Sequence, residues 1–199
     1  MLENSTLKDI FIVFSTDQEW LIGGLFLLGI IVVFIFFIRR RSVSNPLTDL
    51  IKEISIESLS DIVLLDDMDG EIHIEHLLLT IRGLVILDVK TSAGTVFGGN
   101  QMDEWTILTG QERISIQNPQ EALYNRITAL RLLVRDIPIL GHVLFIQGAD
   151  FSRGRPDDVI LPEELLNRYK KPNRQELERV MEAFSPYWQV ICSSARPDL

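Results

Sequence analysis

Three charged residues lie at the ends of two short apolar runs, where their types and spacing could support chemistry. Glu75 belongs to the first run, and Asp88 and Lys90 close the second. If the two runs are neighbouring strands, the alternation of side chains along each strand brings these three residues together on one sheet face. Two adjacent carboxylates repel each other unless a cation lies between them. Mg²⁺ or Mn²⁺, whose preferred ligands are oxygen atoms, meets that need.

The spacing assigns a role to each residue of this group. Glu75 and Asp88 are the predicted side-chain ligands of the ion, and the backbone carbonyl of Val89 is the predicted third ligand. Lys90 would orient the metal-bound water, help to deprotonate it, or offset charge on a pentacovalent phosphate. Glu75, Asp88 and Lys90 are therefore the predicted catalytic residues. The alternative is a structural ion pair between Lys90 and Asp88 or Glu75 on a half-exposed strand end.

The surrounding pattern predicts the elements that hold this group. Pro46 opens a helix with apolar residues at helical spacing. Strands at 62–65, 71–80 and 84–90 then follow as a meander, with a tight-turn signal at Asp69-Gly70. Shorter extended pieces lead to a helix that begins at Asn118-Pro119, a buried strand over 141–146, and helices near 162–169 and 174–184. This order predicts an α+β fold, a mixed sheet with helices on both faces.

An uncharged apolar segment precedes this domain. Residues 20–38 are long enough to cross a hydrocarbon core of about 30 Å. Arg39, Arg40 and Arg41 follow directly, which predicts a single-pass cell-membrane protein with its N-terminus outside. The expected organisation is a short extracytoplasmic segment (1–19), a transmembrane helix (20–38) in the lipid bilayer, a basic and polar linker (39–45) and a cytoplasmic domain (46–199). That domain has its core at about 61–166 and a C-terminal helical extension.

The charge and cysteine content restrict the function. The chain has 28 acidic and 19 basic residues, a net charge of −9. Four of each sign lie at or before residue 41, so the predicted domain carries the same net charge. Such a domain does not bind nucleic acid through bulk charge, and any such binding needs a local basic surface. Cys192 is the only cysteine, which excludes an intrachain disulfide and suits a reducing compartment.

The stretch from Glu71 to about Leu166 resembles the NERD (nuclease-related) domain, a branch of the PD-(D/E)xK restriction-endonuclease-like superfamily. The family's "Ile-Asp-His" segment corresponds to Ile74-Glu75-His76, and its "Gly-hydrophobic-Ile-Glu-Val-Lys" segment corresponds to 83–90. A following glycine, a tryptophan and an Asn-Pro pair are matched by Gly94, Trp105 and Asn118-Pro119. The late strand and the family's "valine-valine … glutamate-leucine" ending are similar to 143–146 and 159–165. Two positions differ, because the two acids are exchanged and Ala122 stands where the family usually has glutamine.

The resemblance implies a restriction-endonuclease-like sheet and a membrane-anchored, cytoplasm-facing nuclease that hydrolyses DNA or RNA with Mg²⁺ or Mn²⁺. The alternative is a catalytically inactive, membrane-tethered binding or scaffold module on the same fold. A third hypothesis is a structural membrane protein whose acidic domain recruits basic partners. Nucleic acid is the predicted partner, and a homodimer is a further expectation, since many relatives of this fold cut both strands as dimers.

Other residues admit two interpretations. His73 and His76 are zinc-ligand candidates with Glu75, although strand alternation separates them and favours structural histidines. Trp105 is interpreted as a core or turn residue rather than a platform for base stacking. The basic residues at 153–155, 170–171 and 174 are either phosphate contacts or solvated loop charges.

Overall fold

The computed structural model describes residues 46–65 and 70–197 of the chain. The predicted extracytoplasmic segment, transmembrane helix and linker lie outside these residues, as does Asp69 of the predicted turn. Within the two described ranges, no helix has the length and apolar character needed to cross a membrane.

The described residues form four helices and ten strands, an α+β arrangement as the sequence predicts. The helices are α1 (Pro46–Ile54), α2 (Pro119–Leu133), α3 (Pro162–Arg168) and α4 (Arg174–Ser194). The strands are β1 (Glu57–Leu65), β2 (Glu71–Thr80), β3 (Gly83–Lys90), β4 (Gly94–Phe97), β5 (Glu104–Thr109), β6 (Glu112–Gln117), β7 (Ile139–Phe145), β8 (Ala149–Asp150), β9 (Val159–Ile160) and β10 (Arg196–Pro197).

The larger sheet is mixed and has the order β10-β1-β2-β3-β7-β9. The predicted meander is present, because β1, β2 and β3 pair antiparallel in sequence. β7 then pairs parallel with β3, with Asp88 opposite Val143 and Lys90 opposite Phe145. A parallel neighbour requires a crossover connection, and the segment between β3 and β7 supplies it with α2. The end of β3 therefore lies near the centre of the sheet.

The crossover also contributes β4, β5 and β6 to a second sheet, in the order β6-β5-β4-β8, whose strand β8 follows β7 in the chain. Its first three strands are the extended pieces that the sequence predicts, joined as antiparallel neighbours. Trp105 on β5 is fully buried, and its indole N–H donates to the Gly99 carbonyl at 3.2 Å. This confirms the interpretation of Trp105 as a core residue.

Helices cover both faces of the larger sheet, as predicted. One apolar cluster, here called the α1 cluster, joins α1 and α3 to one face of the larger sheet. A second, the α2 cluster, joins α2 and α4 to the other face and to the small sheet. The apolar residues of β3 show why both faces need cover. Leu84 and Ile86 pack into the α2 cluster, whereas Val85 and Leu87 pack into the α1 cluster. A strand buried on both sides reads as a continuous apolar run, which is the sequence of β3.

Helix α4 is longer than the sequence predicts. The sequence predicts an end near residue 184, and Pro186 lies two residues further on, where an interior proline removes a backbone hydrogen bond. The helix instead continues through Pro186 to Ser194. Beyond the proline, Trp188 and Ile191 are buried in the α2 cluster, and the Trp188 indole donates to Glu57 Oε2 at 2.5 Å. Burial of these side chains offsets the local cost of the proline.

A buried histidine lies on the opposite side of the sheet from α2. His142 on β7 is 3% exposed, and its Nε2 lies 2.7 Å from the Tyr169 hydroxyl. Burial, with a smaller contribution from the positive charge of Arg168, lowers the pKa of His142 to about 4. The folded protein therefore keeps this imidazole neutral at pH values where an unfolded histidine takes up a proton.

We expect acid to destabilise the fold through His142. Between about pH 6.5 and about pH 4, His142 is protonated in the unfolded chain but neutral in the folded protein. The free energy of unfolding therefore falls as the pH is lowered through this window. The full loss is about 3 kcal/mol. Denaturant unfolding at a series of pH values should show this slope, and His142→Gln should flatten it. His73→Gln, at an exposed histidine of β2, should retain it.

Candidate active site at the end of strand β3

A buried carboxylate with two cationic partners lies at the end of β3. The Asp88 side chain is 9% exposed, and its Oδ1 accepts from Lys90 Nζ at 2.7 Å. Its Oδ2 accepts from Arg126 Nη1 at 3.1 Å. Burying an ionised carboxylate is costly unless it is paired and hydrogen-bonded, and these two contacts supply both kinds of partner to Asp88. Each carboxylate oxygen thus has its own cation.

Strand geometry accounts for the contact between Asp88 and Lys90. Residues two apart on a strand lie on the same face, so the lysine extends over the carboxylate. The Lys90 side chain remains 30% exposed. The predicted proximity of Asp88 and Lys90 is therefore present, and it takes the form of an ion pair. An ion pair at this position is compatible with both interpretations of the motif, catalytic and structural.

The Glu75 side chain contacts the end of β3 through the backbone of Val89. The β2–β3 ladder ends at the pair His76–Leu87, and beyond it the Val89 N–H donates to Glu75 Oε2 at 3.0 Å. A strand residue directs its N–H and its carbonyl to the same edge, so the Val89 carbonyl lies on this edge of β3 too. The Glu75 side chain is 43% exposed. The structure thus brings Glu75 to Val89 rather than into contact with the side chain of Asp88 or Lys90.

The neighbourhood of Glu75 departs from regular strand alternation. Glu75 and Asp61 lie between the pairs Ser60–His76 and Ile62–Ile74 of the β1–β2 ladder, and Asp61 has a φ of 50°. Ile74 packs into the same apolar cluster as Leu77 and Leu79, although strict alternation would separate them. The regular alternation expected along β2 therefore does not hold, because its phase changes near Glu75.

The histidines of β2 have structural partners. His76 Nδ1 lies 2.9 Å from the Ser60 hydroxyl, and burial lowers the pKa of His76 although the Glu75 carboxylate opposes the shift. His76 is therefore neutral at pH 7, and its 4.0 Å approach to Glu75 is not an ion pair there. His73 accepts a hydrogen bond at its carbonyl from Arg126 Nε at 2.6 Å. Across residues 46–65 and 70–197, no three His, Cys, Asp or Glu residues are grouped to hold a metal.

Helix α2 brings Arg126 to the site. The helix begins as predicted, with Asn118 Oδ1 accepting from the Gln120 N–H at 3.0 Å and Pro119 in the first turn. It then packs closely on β7 at Gly141, where an added Cβ would lie 2.7 Å from Leu123 Cδ1 and 2.7 Å from Ile127 Cδ1. The absence of a side chain at Gly141 therefore sets how near α2, and with it Arg126, lies to Asp88.

A cleft of about 490 Å³ opens between the end of β3 and the first turns of α2. Its walls combine charged, amide, hydroxyl and small apolar groups. They are Asp88, Lys90, Ser92, Ile116, Gln117, Asn118, Pro119, Glu121, Ala122, Asn125 and Arg126. The two carboxylates are balanced by two cations, so the cleft itself does not share the acidic balance of the chain. A cleft of this kind can accept a polar, anionic group.

Sequence reasoning missed Arg126, although one signal for it was present. Ala122 occupies the position where the family usually has glutamine, and Arg126 follows it by four residues. Side chains at i and i+4 lie on the same helix face, so a residue expected to face the site implies that position 126 faces it too. Glu121 and Asn125 also line the cleft, and they too belong to the first turns of α2.

The other basic candidates lie apart from this cleft. Arg155 donates through Nη1 to both carboxylate oxygens of Glu164, at 2.7 and 2.8 Å, and so joins its loop to α3. Arg174 forms an exposed pair with Glu178 on α4. Neither arginine is among the residues that line the cleft.

The donor atoms are chemically suited to a divalent cation, with one condition. Carboxylate oxygens of Glu75 and Asp88 and the Val89 carbonyl are hard oxygen ligands, as Mg²⁺ and Mn²⁺ require. However, Lys90 and Arg126 occupy both oxygens of Asp88. The three residues therefore fit a divalent cation once one of these side chains, or both, moves away from the carboxylate.

The fold and the cleft together define an α+β protein with an acid-x-Lys strand end beside a crossover helix. The chain matches the nuclease-related domain (NERD) over residues 39–146, more than half of its length, and it belongs to this family. The matched segment includes Glu75, Asp88, Lys90 and Arg126 and ends just after β7. No curated protein and no solved structure matches the chain.

We expect Gly141→Ala to destabilise the protein by about 1–3 kcal/mol, because the new methyl group forces Leu123 and Ile127 out of position. The resulting shift of α2 should also loosen the contact between Arg126 and Asp88. Thermal unfolding measures the loss. Gly110→Ala is the comparison without a steric clash, because a Cβ there meets nothing within 4 Å and any loss comes from the strain of a φ of 61°. An unchanged melting temperature in Gly141→Ala would contradict the close approach of α2.

Proposed function

We propose that this chain is a nuclease that hydrolyses phosphodiester bonds of DNA or RNA in the cleft between β3 and α2. One observation carries the proposal. In a member of the nuclease-related domain family, Asp88 and Lys90 of the acid-x-Lys segment are in direct contact at 2.7 Å and line an open cleft. The balanced charge of the cleft supports binding of a phosphate there in spite of the net charge of −9.

Lys90 has the central role in this proposal. Its ammonium group lies at the junction of the buried carboxylate and the solvent-open cleft, with 30% of the side chain exposed. From that position it can orient an attacking water and offset negative charge on the phosphate as the bond breaks. Asp88 holds the ammonium in place, and the bond from Val89 N–H to Glu75 fixes the end of the strand.

The proposed cofactor is Mg²⁺ or Mn²⁺, held by Glu75, Asp88 and the Val89 carbonyl. Such an ion supplies activation of water and neutralisation of phosphate charge. Burial of Asp88 and the ordered end of β3 favour the same site, since they place one carboxylate and one carbonyl in fixed positions. The exchange of the two acids relative to the family pattern retains both carboxylates.

We further propose that the domain is held at the inner surface of the cell membrane by residues 20–38. The support is the sequence alone: an uncharged apolar segment of 19 residues followed by Arg39, Arg40 and Arg41. Membrane attachment would place the cleft in the cytoplasm, where nucleic acid is available.

The decisive experiment is a cutting assay with the whole 199-residue chain, kept in mild detergent because of the apolar segment. Labelled single- and double-stranded DNA and RNA are incubated with Mg²⁺, Mn²⁺ or EDTA. We expect metal-dependent cutting, and we expect Lys90→Ala to slow it by about 100-fold or more, because an electrostatic contact to the phosphate is lost.

The matched control is Lys52→Ala, which removes the same charge from an exposed position on α1. It should cut at the rate of the unsubstituted protein. Equal cutting by Lys90→Ala would exclude the proposed role of Lys90. The absence of cutting with every substrate and metal would exclude the nuclease.

A second candidate function is a non-catalytic binding module, and a specific observation favours it. Glu75, Asp88, Lys90 and Arg126 together carry no net charge, and both oxygens of Asp88 are already occupied by cationic side chains. In addition, Ala122 offers the cleft no polar group at the family's glutamine position. Four side chains whose charges sum to zero in this way stabilise the end of β3 without any need for a metal.

Calorimetric titration with Mn²⁺ distinguishes the two candidates. The nuclease requires saturable binding that Asp88→Asn abolishes, because this substitution removes the negative charge of a proposed ligand. Asp136→Asn, at an exposed carboxylate beyond α2, should leave that binding intact. A binding module predicts no saturable heat for any of the three proteins.

A further inference from the structure

Arg126 occupies the oxygen of Asp88 that faces away from Lys90. Its Nη1 donates to Asp88 Oδ2 at 3.1 Å while its Nε donates to the His73 carbonyl at 2.6 Å. The arginine therefore bridges β3 and β2 at the point where their ladder has ended. The two contacts place a positive charge beside the carboxylate that the proposed function assigns to a divalent cation.

Arg126 adds more positive charge than the neutralisation of Asp88 alone requires. Lys90 already lies 2.7 Å from Oδ1 and supplies one full positive charge to one carboxylate. Arg126 adds a second charge at Oδ2. With one cation on each oxygen of Asp88, a divalent cation cannot reach this carboxylate until one of the two side chains leaves. Arg126 thus controls the charge of the site rather than only its stability.

Arg126 is also able to leave. Its side chain is 24% exposed and lines the cleft, so solvent and any bound anion can reach the guanidinium. The group has five N–H donors, and its described hydrogen bonds use Nε and Nη1. A guanidinium pairs well with phosphate oxygens, so a displaced Arg126 has a partner in nucleic acid bound in the cleft.

We infer that Arg126 is a gate of the cation site: its guanidinium holds Asp88 Oδ2 in the free protein and must leave before a divalent cation can bind this oxygen. The inference rests on the proposed function, because it concerns the same site. It adds a residue outside the acid-x-Lys motif that sets the metal affinity. When the cation binds, Arg126 moves to the phosphate of the substrate.

The test is Mn²⁺ binding to the whole chain by calorimetry, with no nucleic acid present. Arg126→Met keeps the aliphatic stem and removes the charge, so it should bind Mn²⁺ about tenfold more tightly than the unsubstituted protein. Arg131→Met makes the same change at an exposed position on α2 and should bind as the unsubstituted protein does. Equal affinities for all three proteins would overturn the gate.

A second variant covers the case in which Arg126→Met does not fold. Arg126→Lys retains the charge but lacks the planar group that joins Asp88 to the His73 carbonyl. Its Mn²⁺ affinity should therefore lie between those of the unsubstituted protein and Arg126→Met. At saturating Mn²⁺, both variants should cut more slowly than the unsubstituted protein, because they lose the guanidinium contact to phosphate. Weaker Mn²⁺ binding by either variant would show that Arg126 supports the cation, and would overturn the gate.

Failure of the gate and failure of the nuclease give different results. Metal-dependent cutting that requires Lys90, together with equal Mn²⁺ affinity of the Arg126 variants and the unsubstituted protein, would leave the nuclease and remove the gate. Tighter Mn²⁺ binding by Arg126→Met without cutting by any protein would leave the gate and remove the nuclease. No Mn²⁺ binding by any variant would remove the gate and the proposed cation site together.

Discussion

The interaction on which the site depends is the compensation of one buried charge, the carboxylate of Asp88. Burial of a carboxylate with only 9% of its side chain exposed is costly unless the group has charged, hydrogen-bonding partners. Lys90 and Arg126 provide them, one from the same strand and one from the crossover helix. This requirement joins β3 to α2 electrostatically where their apolar side chains end, so the packing of the helix and the charge state of the site constrain each other.

The apolar packing sets the position of α2 before any charge is considered. Asn118 fixes where the helix begins, and Gly141 lets it approach β7 until Leu123 and Ile127 fill the space above the strand. Arg126 follows from that placement, since it precedes Ile127 and borders the buried stripe. The electrostatic contact is thus a consequence of a close helix-to-sheet approach, and a small outward movement of the helix would weaken it before the core is lost.

The sequence predicted the local parts of this arrangement and missed the parts that depend on distant contacts. The meander, the buried strand β7 and the start of α2 follow from alternation, apolar runs and a capping residue, each within a few neighbouring residues. The contact between Asp88 and Lys90 is equally local. Arg126 lies 38 positions from Asp88, and only the packing of the crossover brings them together. The change of phase near Glu75 and the extension of α4 past Pro186 likewise depend on tertiary partners, which override the local signal.

The same charge compensation bears on how this site relates to the family pattern. An acid-x-Lys strand end with one lysine retains net negative charge when a second acid is near, and that charge attracts a divalent cation. Arg126 cancels it, so Glu75, Asp88, Lys90 and Arg126 together are neutral, and a divalent ion would make the site cationic. Under the proposed function, phosphate binding would favour the cationic site, because the anion would stabilise the added charge and accept the guanidinium of Arg126. If the proposed function holds, metal and nucleic acid would therefore bind cooperatively, and each would bind weakly alone.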